Sequence, residues 1–592
     1  MPTARPSSLR PSSVRLATYT PTGAPLRARS HLAADAVVLV GLAVTLWLLV
    51  DLSHGISAPF DRASAPAAVS TDPADLPYDA ARSLLRMFAA LAASTLFTFV
   101  YATAAARSRR VEKVLLPVLD VLQSVPVLAL LSVTITFWLA LFPHSELGVE
   151  CASIFAIFTS QAWNMAFAFY QSLVTQPRDL DEAARLLRLT RWQRFWRLDV
   201  PGGTIPLVWN GMMSFGGGWF FLVASEVISV NGHTYALPGI GSYVAAASAN
   251  GQIDRLLLAI VVMVVMVVGV NTLFWRPLTA WAERFRTGDS ASAQVQTSAV
   301  LSLLRRSVLP AATARLLRPL GEGLDRATRP LGLADHRLQV HAGRRRAGDV
   351  AFAVVVLGLL AWGLVAVLRY ISAHTGLGEF GTAAWLGLLT FGRVLVLLVV
   401  STAVWVPVGV WIGLDPRVTR IAQPVVQVLA SFPANFLFPF ATLALISTGV
   451  SLDWGGILLM ALGSQWYVLF NVIAGASAIP HDLREAATSM RLGLVARWRS
   501  LYGPAVFAAW VTGGITAAGG AWNASIVSEV VSYHGTTLHA AGLGAYIADS
   551  TASGDFAKTL VGVTVMSVFV VGLNRLFWRR LYALAESRFS LT

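Results

Sequence analysis

The sequence predicts an all-α membrane protein of about twelve transmembrane helices, arranged as two parallel six-span repeats. A strongly apolar composition and an internal duplication predict this class. The chain has 592 residues, of which 55% are hydrophobic and 13% charged, whereas a soluble protein needs a more charged surface. Apolar runs of about twenty residues recur along it, each long enough to cross a bilayer core of roughly 30 Å.

The duplication is visible as residues that recur at a constant distance. An offset of 303 residues separates Glu182 from Glu485, Pro201 from Pro504 and Trp219 from Trp522. A register held over more than a hundred residues indicates an internal repeat. Two copies of one membrane unit predict a pore between two related halves.

The chain begins with a basic segment, residues 1–31, that is rich in Ser, Thr and Pro and is predicted to be a disordered tail. The apolar run that follows, at about 33–52, is longer than the core of a typical signal peptide, and no small-residue cleavage pattern stands out. We therefore expect this run to be retained as the first span.

Six spans are predicted in each half, within a first repeat at 32–276 and a second at 349–592. Their approximate positions are 33–52, 84–106, 114–142, 151–174, 204–230 and 256–275, then 349–369, 384–413, 421–449, 454–476, 505–533 and 557–577. Helices are expected because membrane barrels show short alternating strands rather than continuous apolar runs.

Arginines in the loops predict the orientation. The net charge of +14 comes almost wholly from arginine, because Lys113 and Lys558 are the only lysines. With both termini in the cytoplasm of a bacterial cell and the spans in its inner membrane, the arginine-rich loops lie inside. An even number of spans per half makes the repeats parallel rather than inverted. A nucleic-acid partner is not expected, since no soluble basic domain is present.

Residues 277–348 are predicted to be an arginine-rich cytoplasmic linker. Within them, Ala299–Leu317 mixes leucines and arginines at near-helical spacing. Such a segment either lies on the anionic inner leaflet or is a solvated connection between two once-separate units. Its composition favours the solvated connection.

A short segment after the fourth span of each half is predicted to transmit force. Glu182-Ala183-Ala184 begins a run of good helix formers, with Asp179 and Asp181 near its start, where acids complement the helix dipole. Its small alanines permit close approach by another backbone. We expect this helix to end near Pro201, and Glu485-Ala486-Ala487 to form its counterpart.

These segments resemble the signature of the permease subunits of binding-protein-dependent ABC importers. In that family the short helix docks into a groove on the ATP-binding subunit and couples nucleotide hydrolysis to pore opening. The matching residues are Glu182, Ala183, Ala184, Leu198, Val200 and Pro201, and again Glu485, Ala486, Ala487, Leu501 and Pro504. Arg188 and Arg491 replace the family glycine, and Gly503 replaces an apolar residue, so a looser turn is expected.

The resemblance extends over most of both halves and implies the ABC importer permease fold. The Trp219 to Val227 stretch is most similar to permeases of the nitrate, sulfonate and taurine type. This implies two cytoplasmic ATP-binding subunits, an external solute-binding protein and a small-molecule solute such as one of these anions. Metal cations and other small solutes stay open.

The chain itself is predicted not to be an enzyme and to need no cofactor. It lacks a phosphate-binding loop, since Lys558-Thr559 has Ala552 where the first glycine should stand. No metal-ligand cluster or nucleophile–base pair is evident in the sequence, and Cys151 is the single cysteine. ATP hydrolysis is therefore expected on a partner subunit.

Glu226 and Glu529 occupy equivalent places in the fifth and eleventh spans. A carboxylate in hydrocarbon costs at least about 2.5 kcal/mol, so each is expected to face the bundle interior or water. Either they gate the pore or line its external mouth, or they cap outer helix ends through serine and backbone bonds. A carboxylate pair repels an anion, so they are not expected to be its principal ligands.

Further pore or gate candidates are aromatic, amide and proline residues within the spans. Trp219 and Trp522 either line the pathway or pack as ordinary aromatics, and Asn210 and Asn523 lie on the same spans. Pro126 and Pro433 are expected to kink the third and ninth spans, which frees a carbonyl that can face a cavity. Each proline either forms part of a gate or produces a purely structural kink.

Two other functions stay open from the sequence. A secondary transporter of the major-facilitator kind also has twelve spans in two parallel halves, but it works by ion-driven uptake without an ATPase partner. A membrane scaffold would transport nothing. The paired Glu-Ala-Ala segments favour the importer.

Overall fold

The computed structural model describes residues 34–41, 43, 68–143, 145–230, 233–285, 298–328, 330, 332 and 342–588. These residues are mainly helical, with two short β-hairpins added to the predicted all-α class. Most of the first predicted span, 33–52, and most of the predicted tail lie outside the described residues.

Among the described residues from Leu76 onward, the first repeat contains eight helices and one hairpin. The helices are α1 (Leu76–Arg107), α2 (Arg109–Ser124), α3 (Val127–Leu141), α4 (Leu147–Val174), α5 (Arg178–Leu186), α6 (Arg191–Ser225), α7 (Ile240–Ala249) and α8 (Ile253–Phe285). Strands β1 (Val227–Val230) and β2 (His233–Ala236) lie between α6 and α7 and pair antiparallel.

The second repeat has the same order after two linker helices. The linker holds α9 (Ala299–Arg306) and α10 (Leu309–Ala327), and α11 (Ala342–His374) precedes the repeated set. That set is α12 (Glu379–Leu414), α13 (Pro416–Ser431), α14 (Ala434–Thr448), α15 (Leu452–Ser477), α16 (His481–Ser489), α17 (Leu494–Ser528), β3 (Val530–Tyr533), β4 (Thr536–His539), α18 (Leu543–Ser553) and α19 (Phe556–Ala585).

Membrane-spanning helices dominate both repeats. Among the described residues, 8 helices are long and apolar enough to cross a bilayer, or 9 if α13 and α14, which meet at 82°, form one broken span. The multi-span helical class is confirmed, and the count of twelve stays a prediction.

The third and ninth spans are broken rather than kinked. Pro126 separates α2 from α3, and Pro433 separates α13 from α14. Proline has no N–H to donate and forces the preceding residue out of the helical region. The helix therefore stops before each proline and restarts after it, and at Pro433 the two parts meet at 82°.

The fifth and eleventh spans end earlier than predicted. Helix α6 stops at Ser225 and α17 at Ser528, after which the chain forms a hairpin in each repeat. The β-branched residues of Val227–Val230 suit a strand. In the second hairpin His534 and Gly535 have positive φ of 47° and 77°, as the tight two-residue turn of a hairpin requires.

The predicted ends of the short helices near Pro201 and Pro504 are wrong. Helix α5 already ends at Leu186, and α6 runs through Pro201 after a wide π turn at Phe195–Asp199. Because proline cannot donate to the carbonyl four residues back, the wider turn accommodates it. The same π turn, at Trp498–Tyr502, precedes Pro504 in α17.

Each repeat packs its own core, and the two cores exchange side chains. Helices α1, α4 and α6 pack together in the first repeat, as α12, α15 and α17 do in the second. Phe436 and Tyr533 of the second repeat are buried in the core of the first, and Leu128 of the first in that of the second. The halves are therefore interlocked rather than merely adjacent.

Candidate functional site

The short helices α5 and α16 present the same pattern of buried and exposed residues. Ala184 and Ala487 are buried, with exposed fractions of 3% and 6%. Glu182 and Glu485 are exposed. The alanines thus fix each helix against the body of the protein, while the glutamates remain accessible to another protein.

The turn after α5 is a closed helix C-cap. Arg188 has a positive φ of 47°, a conformation that costs a non-glycine residue roughly 1–2 kcal/mol. The Arg188 N–H donates to the carbonyl of Arg185 at 2.9 Å, and the Leu189 N–H to that of Ala184 at 3.1 Å. These two bonds define the Schellman motif.

The second copy has the same cap. Arg491 has φ of 49°, and its N–H donates to the carbonyl of Thr488 at 3.0 Å, while Leu492 N–H donates to Ala487 at 3.1 Å. The expected loosening of this turn is therefore wrong. Both arginines adopt the conformation that the family glycine would adopt, and the bend stays tight.

Acidic and basic side chains brace the first short helix. Asp181 pairs with Arg185 at 2.9 Å and also with Arg194 of α6. Arg194 in turn lies 3.7 Å from Asp199, which pairs with Arg107 at the end of α1. Burial alone would raise the pKa of Asp181, but hydrogen bonds and charge from Arg194 and Arg185 outweigh it and lower that pKa.

The second short helix is attached differently. Arg484 stands where the first repeat has Asp181, and it donates to the carbonyl of Leu414 at the end of α12 at 3.0 Å. Glu485 lies 3.2 Å from His481 on its own helix. The two surfaces share a backbone shape but differ in charge.

The broken spans contact the opposite repeat at matching positions. The Val127 N–H, the first amide after Pro126, donates to Asn523 Oδ1 of α17 at 2.7 Å. Asn435, two residues after Pro433, donates from Nδ2 to the carbonyl of Phe220 in α6 at 3.2 Å. Phe220 and Asn523 are equivalent in the duplication. The helix break of each repeat therefore contacts a long helix of the other repeat: the break at Pro126 contacts α17, and the break at Pro433 contacts α6.

Glycines allow this close contact. A Cβ at Gly216 would lie 2.7 Å from Ser431 Oγ, two residues before Pro433. Beside it is a narrow crevice of about 30 Å³ between the halves, bordered by Trp219, Asn271 and Gln427 among others. Small residues on a spanning helix permit this approach, and the crevice marks a candidate part of the translocation path.

The remaining aromatic and amide candidates contact their own repeats. Trp219 and Trp522 are each 1% exposed; Trp219 packs against Phe215 at 5.5 Å, and Trp522 against Phe569 at 5.8 Å between ring centroids. Asn210 donates to the Pro206 carbonyl in its own helix at 2.9 Å. These contacts describe packed residues, and a role in lining the path stays a prediction.

Glu226 lies in a buried charge cluster. It accepts hydrogen bonds from Arg86 Nη1 at 2.7 Å, Ser83 Oγ at 2.5 Å and the Gly241 N–H at 2.6 Å. Ser83 Oγ also accepts the Ile240 N–H at 3.0 Å. The carboxylate thus ties α1 to the start of α7 and has the serine and backbone partners that the capping alternative describes.

Glu529 has an equivalent cluster. It accepts from Arg393 Nη1 at 2.8 Å, Thr390 Oγ1 at 2.8 Å and the Gly544 N–H at 2.8 Å. Thr390 Oγ1 accepts the Leu543 N–H at 2.9 Å. Both clusters hold the base of a hairpin to the short helix that follows it, and a gating role for either carboxylate stays a prediction.

Each arginine of these clusters bridges two carboxylates. Arg86 Nε pairs with Glu150 of α4 at 2.6 Å, and Arg393 Nη2 pairs with Asp453 of α15 at 2.7 Å. Neither arginine was among the site residues predicted from the sequence. Their position inside or beside an apolar run was the available signal, because a charged residue at membrane depth needs a partner.

The clusters also explain a glycine pattern that the sequence analysis missed. A Cβ at Gly239 would lie 2.3 Å from Glu226 Oε1, and one at Gly542 would lie 2.2 Å from Glu529 Oε2. No side chain fits at either position. The segments Gly239-Ile240-Gly241 and Gly542-Leu543-Gly544 each contain two glycines. These glycines allow the backbone to pass directly over the carboxylate of each cluster.

The tip of the second hairpin lies on the first repeat. His534 N–H donates to the carbonyl of Ser248 at the end of α7 at 3.1 Å. Tyr533 is buried at 8% exposure, and a Cβ at Gly251 would lie 3.0 Å from the His534 ring. The charge clusters thus hold hairpins that join the two halves.

Comparison with known proteins finds one family twice in this chain. The family described as binding-protein-dependent transport system inner membrane component matches twice, at residues 91–284 and 405–590. Together these segments cover more than half of the sequence.

Individual relatives are distant. The nitrate import permease protein NrtB of Leptolyngbya laminosa is 30% identical over 146 residues, 24% of this chain and 47% of that protein. The protein of the same name from Synechococcus elongatus is 25% identical over 207 residues, 34% of this chain and 70% of that protein. The taurine transport system permease protein TauC of Escherichia coli is 29% identical over 206 residues, 34% and 69% respectively. The chain thus spans about half of the first relative.

Proposed function

Because this chain belongs to the family of binding-protein-dependent transport system inner membrane components, we propose that it carries both permease halves of an ABC importer. It forms the translocation path and docks two cytoplasmic ATP-binding subunits through α5 and α16. An external solute-binding protein delivers the solute. The chain lies in the bacterial inner membrane with both termini in the cytoplasm.

The observation that carries the proposal is the duplicated helix and cap at Glu182 and Glu485. Each has a buried alanine, an exposed glutamate and a closed turn at an arginine with positive φ. Such a rigid projection suits docking to a motor subunit, because a loose loop would absorb the movement. A secondary transporter has no ATPase partner that would dock on two such helices.

The geometry supports a direct route for the movement. Helix α6 begins at Arg191, soon after the first cap, and continues for 35 residues to Ser225, about 50 Å at 1.5 Å per residue. Along it lies Phe220, which accepts the hydrogen bond from Asn435 of the opposite half. ATP binding draws α5 and α16 together, their attached helices shift the two breaks and the path opens outward. Hydrolysis reverses the change.

We propose a small anion such as nitrate, a sulfonate or taurine as the solute. The names of the relatives, which describe nitrate and taurine permeases, support this class. Arg86 and Arg393 pair with Glu226 and Glu529, so these carboxylates do not face the path as free negative charges. An anion therefore meets less repulsion than the sequence alone suggests.

Uptake into proteoliposomes tests the function. Vesicles contain this chain with its ATP-binding and solute-binding partner proteins, and ¹⁵N-nitrate and ³⁵S-taurine are supplied outside. We expect uptake of one of them only with ATP at the nucleotide-binding side, and no loss when an ionophore collapses the ion gradients. Gradient-driven uptake without ATP would instead establish the secondary transporter. No uptake and no co-purifying ATPase would favour the scaffold.

A further inference from the structure

The two linker helices, α9 and α10, have a second role beyond joining the repeats. We propose that they form an amphipathic membrane-surface element that binds anionic lipids of the inner leaflet. The assignment to that leaflet rests on the proposed orientation, but the lipid contact itself requires neither the ATPase nor the solute.

Contacts with three spanning segments place the element at the membrane surface. Ser307 Oγ and the Val308 N–H donate to Asp35 Oδ1 at 2.5 and 2.8 Å, and Asp35 belongs to the start of the first predicted span. Helix α9 packs against the last turns of α8. Asp325 of α10 accepts from Arg197 near the start of α6 at 3.3 Å. A segment attached to three such helix ends runs along the bilayer surface.

One of the exposed faces of α10 is apolar. Leu316, Leu320 and Leu324 recur every four residues, which places them on one helical face, with exposed fractions of 76%, 63% and 51%. Arg318 and Asp325 fall on the opposite face, where Asp325 contacts α6 and Arg318 is 78% exposed. Removing an exposed leucine from water is favourable, so three unshielded leucines at the bilayer surface favour insertion among lipids.

Charge around the leucines matches anionic headgroups. The basic residues of the element are Arg305, Arg306, Arg315, Arg318 and Arg326, and its acidic residues are Glu322 and Asp325. Asp325 is already engaged with Arg197. The negative potential of an anionic membrane surface attracts nearby basic residues. Arginines beside an inserting leucine face are the expected pattern for an interfacial helix.

A soluble protein is a poorer occupant of this face. The core of a protein interface is a broad apolar patch that lacks charge, whereas the three leucines form one narrow row on a helix whose other side holds arginines and a glutamate. At a bilayer the same arginines can reach the headgroups while the leucines insert. The lipid surface therefore satisfies both parts of the helix.

Site-specific fluorescence on the full chain tests the proposal. In a Cys151→Ser background, Leu320→Cys or Glu322→Cys is labelled with the environment-sensitive dye NBD, and the protein is placed in nanodiscs of phosphatidylglycerol and phosphatidylcholine. Both positions are exposed and they lie on opposite faces of α10, so each controls for the other. We expect lipid-borne nitroxide to quench the dye at position 320 at least about threefold more than at 322.

Lipid charge provides the second comparison. Nanodiscs of phosphatidylcholine alone, and Arg315→Gln with Arg318→Gln in anionic nanodiscs, are both expected to reduce quenching at position 320 by at least half. Equal quenching at 320 and 322 would overturn the proposal. So would a blue-shifted dye at 320 that nitroxide does not reach, because that result means a protein covers the face. Equal quenching at position 320 in anionic nanodiscs and in nanodiscs of phosphatidylcholine alone would overturn the proposed preference for anionic lipids.

Discussion

Asn523 of the second repeat accepts a hydrogen bond at 2.7 Å from the Val127 N–H of the first. The helix break at Pro126 leaves this N–H without a partner in its own helix, because the first N–H groups of a helix have no partner within it. A side chain from the other half therefore completes a helix start. The hydrogen bond makes the relative position of the two halves part of the local structure at the break.

Asn523→Ala is expected to weaken contact between the halves. Leaving a buried amide unsatisfied costs about 1–3 kcal/mol, so the detergent-solubilised protein should unfold at a lower temperature. Asn210→Ala is the matched control, since Asn210 bonds only within its own helix and should cost less. Equal destabilisation by the two variants would contradict this role of Asn523.

Arg188→Gly and Arg491→Gly are expected to stabilise the two caps. Glycine adopts positive φ without the steric cost that arginine bears, so each change should add up to about 1 kcal/mol. Thermal unfolding measures the gain. Arg185→Gly, inside α5, is the control and should destabilise by about 1 kcal/mol. A loss of stability in both cap variants would show that the positive φ is not what the arginines contribute.

Arg86→Met and Arg393→Met are expected to be strongly destabilising. Each removes the only cation of the cluster that reaches Glu226 or Glu529 directly among the described contacts, and breaking a buried ion pair costs about 3–5 kcal/mol. Reduced yield of folded protein and a lower unfolding temperature measure this. Arg417→Met, on the exposed start of α13, should change stability little. Parent-like stability of Arg86→Met would show that the cluster does not hold the hairpin base.

A disulfide between the halves is expected to block transport. In a Cys151→Ser background, Ser248→Cys with His534→Cys joins the end of α7 to the tip of the second hairpin, which lie in backbone contact. Oxidation should abolish uptake and a reductant should restore it, because the joined ends cannot separate. Ser532→Cys with Thr537→Cys joins the strands of one hairpin, whose hydroxyls lie 2.9 Å apart, and should leave uptake intact. Full uptake through an oxidised 248–534 pair would remove this contact from the opening movement.

The sequence predicted the repeat, the short helices and the positions of the helix breaks, because each follows from local residues or from a constant offset. The charge clusters could not be predicted in this way, because the distance between equivalent residues of the two repeats changes along the chain. Glu226 maps to Glu529 at 303, but Arg86 maps to Arg393 and Pro126 to Pro433 at 307. At an offset of 303, Arg86 falls on a leucine, so the equivalence stays hidden.

The hairpins and the contacts between the two halves could not be predicted from the sequence, for a different reason. The segment Val227–Val230 is short and mostly apolar, and a short apolar strand cannot be told from a helix end by periodicity. The pairing of Asn523 with Val127 joins residues 396 apart. Nothing local in either segment specifies that contact, which depends on how the two halves pack.

The measurement that tests the central claim most directly is ATP hydrolysis by the assembled importer carrying Glu182→Lys with Glu485→Lys. Both glutamates are exposed, so the variant should insert and unfold like the parent, and Glu182→Asp with Glu485→Asp should retain most activity. We predict that the lysine variant loses solute-stimulated ATPase activity and uptake together. Stimulated hydrolysis and uptake at the parent level in that variant would contradict coupling through α5 and α16.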